Sequence, residues 1–235
     1  MIAHWRPAAD RLVAGLRAVF GNRLRSVVAY GPGIEAGGDG PLTCLALVTS
    51  ITSGDLEACA GMSNGWRREH IATPLLLPEA EFRGSLDAFP LEYGEVLRAH
   101  ELVFGANPFD GLTIEPADLR RACEAQIKSH LVHLREGFIE TGGTPRAVTG
   151  LVTASAPAFG ALLRNIARLN GSDARDRATA TREGARLAQL PDAVITDILS
   201  LERPAAMSTT DPAKLFPEYL AAVEQLARFI DAWRG

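Results

Sequence analysis

The sequence predicts an α+β protein in two parts: a small mixed β-sheet with flanking helices over residues 1–115, then an all-α helical bundle over 116–235. Three observations carry this. Short β-rich apolar runs alternate with helical stretches before residue 115. After it, apolar residues recur every three or four positions with almost no strand signal. The 235 residues are 47% hydrophobic and 22% charged, which is the composition of a packed globular chain and excludes a disordered one.

The elements follow in order. Leu12, Val13, Leu16, Val19 and Phe20 have helical spacing, and Gly21-Asn22 ends that helix. Ser26–Tyr30 is the first strand, stopped by Gly31-Pro32-Gly33. Thr43–Val48 is nearly all apolar, as befits a central strand covered on both faces. A glycine-containing helix over 54–69 and a strand over 73–77 come next, then a helix opening at Pro78. Phe89–Tyr93 reads as a strand whose proline marks an edge or a bulge. In the second part, Leu119, Cys123, Ile127, Leu131, Leu134 and Phe138 form one long stripe, expected to build the junction between the two parts. A helix over 146–169 contains Pro157 and is expected to bend there. Residues 173–186 read as a mobile loop or a solvated helix. Helices over 191–201 and 217–233 close the chain.

Composition also narrows the class of function. A net charge of -4 argues against a broad basic surface for nucleic acid. No apolar run approaches the ~20 residues a membrane span needs, and the first residues lack the apolar core of a signal peptide. Three cysteines, Cys44, Cys59 and Cys123, include no CxxC pair, which fits buried free thiols in a reducing compartment. The expected location is cytoplasmic.

Several cues in the first part come in a suggestive order. A helix precedes a strand ending in Tyr30-Gly31-x-Gly33, and a second apolar strand follows a short loop. Further on stand the stretches Thr73–Phe82 and Ser85–Tyr93. With these features the chain resembles the nucleotidyltransferase-fold superfamily, and in particular a bacterial group of nucleotidyltransferase-like proteins with a C-terminal helical domain. The resemblance implies a nucleotidyltransferase-like sheet. In active members a Gly-Ser or Gly-Gly step after the first strand holds the nucleotide phosphates. Two carboxylates on the next strand and a third from a later strand then bind paired Mg²⁺ ions, which stabilise the attacking and leaving oxygens.

This sequence departs from that pattern at each critical point. Pro32 follows Gly31 and offers neither hydroxyl nor N–H. The two carboxylate positions align with Leu42 and Cys44; leucine cannot bind Mg²⁺, and sulfur is a poor ligand for a hard ion. Asp39 is the nearest acid, with no partner two residues on. Asp87, Glu92 and Glu95 stand in the region of the third carboxylate, with Glu92 on the expected strand. One acid is not a two-metal site.

The expectation is therefore a nucleotidyltransferase-like protein that has lost catalysis and binds an unknown small ligand or a protein partner. Its remnant cleft would comprise Tyr30, Gly31, Pro32, Gly33, Leu42, Cys44 and Glu92, with Lys128 and Arg135 reaching an anion from the long helix. No catalytic residue, metal or cofactor is expected. Mg²⁺ and a nucleoside triphosphate enter only under the alternative of a divergent enzyme acting on a small molecule or a protein. The apolar faces leave room for a homodimer.

Other constellations carry less. Gly31, Gly33, Gly37, Gly38 and Gly40 match neither GxGxxG nor a P-loop, and no GxSxG elbow exists. His130 and His133 share a helix face without a third ligand, which suits an interdomain polar contact. The helical part invites comparison with HEPN domains, whose ribonuclease versions carry an Arg, about four to six residues, then His; no Arg precedes His130 or His133 at that spacing. Lys128 stands four residues after Glu124, the spacing of an ordinary helix-surface ion pair.

Overall fold

The computed structural model describes residues 3–34, 40–174, 176–201 and 211–234, apart from the side chain of Leu199. The chain forms two compact units, Met1–Ile114 and Glu115–Gly235.

In the first unit, α1 (Arg6–Phe20) starts with a proline in its first turn and buries Ala9, Leu12, Leu16 and Phe20, one residue per turn. Gly21, at φ +53°, ends it and returns its N–H to the Arg17 carbonyl. There follow β1 (Leu24–Tyr30), β2 (Thr43–Val48), α2 (Ser53–Arg68), β3 (Leu75–Pro78), α3 (Glu79–Gly84), α4 (Pro90–Arg98) and β4 (His100–Gly105). The sheet order is β3-β2-β1-β4. β1 is antiparallel to β2 and to β4, whereas β2 and β3 are parallel, so the sheet is mixed.

Strand alternation feeds two cores. Val27, Ala29, Cys44, Ala46 and Val48 pack with Leu12 and Leu16 of α1 and with Cys59 and Trp66 of α2. Val28, Leu45 and Leu47 pack on the other side with Phe82, Tyr93, Val96 and Phe109. Burial on both faces is the physical reason for the unbroken apolar run of β2. α2 is fastened at its start by a capping box: the Thr52 hydroxyl accepts from the Asp55 N–H, and the Asp55 carboxylate accepts from the Thr52 N–H. The same carboxylate receives two 2.7 Å hydrogen bonds from Arg23, which hold its titration well below the usual carboxylate range.

Residues 89–93 are a correction. They do not form a strand; Pro90 instead opens α4, at the first-turn position where its missing N–H costs nothing. Leu91, Tyr93, Gly94 and Val96 are buried, and Glu92 points to solvent on a helix. The fourth strand is His100–Gly105.

The second unit holds α5 (Pro116–Glu140), α6 (Pro145–Leu169), α7 (Arg177–Leu187), α8 (Asp192–Leu201) and α9 (Pro212–Ala232). α5 buries Leu119, Cys123, Ile127 and Leu134 and packs on α6 and α9 within its own unit. α7 is neither mobile loop nor solvated helix. The Asp176 carboxylate caps it by accepting from the Thr179 N–H at 2.7 Å, and Ala180, Thr181, Gly184 and Ala185 are buried. α9 begins earlier than its spacing suggested, at an Asp211 cap that accepts from the Ala213 N–H. α6 runs through Pro157 as one helix. By length and composition α6 alone, among the described residues, could cross a membrane, which amends the expectation that no segment would. Twelve of its 25 residues are buried, and it packs on four other helices, which is the position of a core helix.

Candidate functional site

The loop after β1 is shaped by two glycines. Gly31 takes φ +77°, a conformation that costs glycine nothing. Pro32–Ile34 then makes a single 3-10 turn, in which the Ile34 N–H donates to the Gly31 carbonyl. A Cβ on Gly33 would lie 2.5 Å from the Pro41 carbonyl oxygen, so the returning chain presses directly on its backbone. Pro32 brings no N–H to this turn. Asp39 lies outside the described residues.

The alternation of β2 decides what its side chains can reach. Leu42 is 4% exposed and Cys44 fully buried, both in the core that α1 and α2 cover. Burial pushes the Cys44 thiol up to about 12, and sulfur is in any case a poor ligand for a hard ion such as Mg²⁺. The opposite face of β2 carries Thr43, across from Tyr30, and Leu45, across from Val28. Shifting the carboxylate pattern by one residue therefore replaces Leu42 and Cys44 with Thr43 and Leu45. Neither register supplies an acid. β1 and β3 have none either, and β4 has Glu101, exposed and opposite Ala29.

A different set of polar groups gathers on the Tyr30 face. His100 stands opposite Tyr30 across β4. Its Nδ1 lies 2.9 Å from the Val96 carbonyl; a carbonyl only accepts, so Nδ1 donates in this bond. The Ser85 and Tyr93 hydroxyls are 3.3 Å apart. Burial raises the Tyr30 phenol, and Cys44, Tyr93 and Glu95 add to the shift by their charge. Tyr93, Ser85 and His100 are not among the cleft residues expected from the sequence, where a strand over Phe89–Tyr93 points to Glu92 instead. In a helix Tyr93 and Glu95 turn inward of Glu92, and the proline at the helix start was the available signal.

Lys128 and Arg135 belong to the second unit, where carboxylates compensate both. Lys128 Nζ is 2.6 Å from Glu124 and 2.8 Å from Asp231, which together raise its basicity. Arg135 donates to Glu224 at 2.7 Å. His130, expected to make an interdomain polar contact, has a partner inside its own unit: its Nε2 lies 2.8 Å from the Tyr219 hydroxyl of α9.

Among the described residues no three His, Cys, Asp or Glu side chains converge as a metal site. Among the described residues, the groups around Tyr30 do not fit a pair of hard cations, which need several carboxylate or carbonyl oxygens.

No protein-family model matches the chain. No curated protein matches it either. Solved structures do. One is a spectinomycin adenyltransferase from Enterococcus faecialis with ATP and spectinomycin, superposed with a TM-score of 0.60 over 94% of this chain and 98% of that one. Identity is 13%, so the likeness speaks to the fold alone: a nucleotidyltransferase-like α+β sheet with a helical C-terminal region.

Proposed function

We propose that this protein is a nucleotidyltransferase-like protein without transfer activity, which acts by binding a small ligand or a protein partner. The observation behind this reading is the absence of any acidic residue from β2, on either face. Phosphoryl-type transfer with paired metals needs carboxylates to hold both ions on the reacting oxygens. A threonine hydroxyl, a leucine and a protonated thiol supply no such charge. Pro32 supports the reading as well, because the phosphate-holding turn lacks an N–H and a hydroxyl at that step.

The second reading, a divergent metal-dependent enzyme acting on a small molecule or a protein, has the adenyltransferase likeness and the Glu95 carboxylate near Tyr30 in its favour. It requires at least one further acid at the same place.

Calorimetric titration of the full chain with Mg²⁺ and each of ATP, CTP, GTP and UTP separates the two. No heat of binding is expected in the micromolar range. Metal-dependent micromolar binding of any one of the four would contradict the inactive reading.

A further inference from the structure

The sheet end opposite the Tyr30 loop holds a cavity of about 330 Å³, within the range of small-molecule pockets, ~300–1,000 Å³. β1 separates the two places by its seven residues, about 20 Å of strand. Leu24, Leu47, Phe104 and Pro108 give the cavity apolar walls. Its polar side carries Arg25, Arg83, Asn107 and Glu79.

The backbone is arranged to put Arg25 there. Leu24 pairs with Val48 and Ser26 with Leu47, so Arg25 is the extra residue of a β-bulge. A bulge re-aims the side chain it carries. Arg25 is the one charged residue of β1; it is exposed, and no carboxylate among the described residues pairs with it. Gly105 closes the arrangement. It takes φ +79°, and a Cβ there would meet the Arg25 carbonyl oxygen at 2.0 Å, so only glycine lets β4 lie against the bulge.

Two further groups define the chemistry. The Asn107 Oδ1 accepts from the Phe109 N–H at 3.1 Å, which orients the amide and leaves its Nδ2 end as a donor. Arg83 is loosely held by Glu79 of its own helix at 3.7 Å. Arg25, Arg83 and Glu79 sum to one positive charge. That suits a monoanion. A phosphate dianion would bring a second charge beside Glu79 with nothing to balance it.

We propose that this cavity binds a small organic carboxylate, with its oxygens on the Arg25 guanidinium and the Asn107 amide and its apolar body against Leu47 and Phe104. An Arg–carboxylate pair is bidentate and directional, and apolar walls on one side raise its strength over that of a fully solvated pair.

The test is an amide-shift NMR titration of the full chain with sodium benzoate, with benzamide and inorganic phosphate as comparisons. Benzoate should shift residues 24–26, 79–83 and 105–108 saturably, and benzamide should not. Arg25→Met should weaken benzoate by about tenfold or more, the usual loss when a charge-assisted hydrogen-bond partner is removed. Arg25→Lys should fall between. Asn107→Asp keeps the acceptor for the Phe109 N–H but faces the ligand with a negative charge, and should abolish binding. The proposal is overturned by the absence of benzoate shifts at those residues, by equal binding of benzamide, by an unchanged affinity in Arg25→Met, or by phosphate binding as well as benzoate. The cavity and the Tyr30 loop stand at opposite ends of β1, so failure here leaves the reading of catalytic loss untouched.

Discussion

Gly184→Ala should lower the melting temperature of the helical unit by about 10 °C or more, corresponding to about 2–3 kcal/mol. α7 packs on α6 through small residues, and at Gly184 the two backbones lie close together. A Cβ there would stand 1.9 Å from the Leu163 carbonyl oxygen and 2.6 Å from its carbon. Those atoms belong to the backbone of α6, so no rotamer change relieves the overlap, and the helices must separate. Separation opens space around Ala180 and Ala185, which have no longer side chains to fill it. Ordinary helix propensity predicts the reverse, because alanine is better than glycine in a helix interior by about 1 kcal/mol. Gly150→Ala in α6 isolates that term: nothing lies within 4 Å of the added methyl group, so it should leave the protein equal or more stable. Thermal unfolding followed by circular dichroism checks both. A Gly184→Ala melting temperature equal to that of the parent would show that the two helices are not in backbone contact.

The second large effect is on pH. His130 sits between Phe159 and Tyr219, its ring 6.2 Å from each. Burial, with a smaller contribution from His133, lowers its titration to about 4, against an ordinary value near 6.5. The folded chain therefore keeps the ring neutral while the unfolded chain takes the proton. Stability is fully present above about pH 6.5, falls as pH drops toward 4, and levels off below. The interval corresponds to roughly 3 kcal/mol. His130→Gln can still hydrogen-bond Tyr219 but does not titrate, so the helical unit of that variant should lose much less between pH 7 and pH 4. Urea unfolding at several pH values gives the readout as the difference between the two proteins. That difference is needed because Asp55, whose folded carboxyl titrates below its ordinary range, also loses its contribution on acidification, in the other unit. Parallel stability curves for parent and variant would contradict the assignment.

The fold was legible where burial wrote a clear pattern. β2 is apolar throughout because its two faces feed two cores, and α1 announces itself by one buried residue per turn. Phe89–Tyr93 misled because five residues are too few to distinguish a strand from a helix turn, and the helix is completed by Gly94–Arg98. α7 misled for a different reason: it packs with alanine, threonine and glycine, which register weakly on any hydropathy pattern. At the site, the turn Tyr30–Gly33 was readable from its glycines and proline. Which side of the sheet Leu42 and Cys44 take was not, since alternation alone does not say which set meets α1 and α2. The Glu124 partner of Lys128 follows from helix spacing, but Asp231 and Glu224 are partners only because α9 folds back on α5.

The central claim, that a nucleotidyltransferase-like sheet is retained here without its metal-binding pair, is tested most directly by counting ions. Mn²⁺ replaces Mg²⁺ at such sites and is visible by electron paramagnetic resonance. With ATP present, the protein should retain no Mn²⁺ beyond what the nucleotide alone binds. Two Mn²⁺ ions held per chain, with the exchange coupling of neighbouring metals, would contradict it.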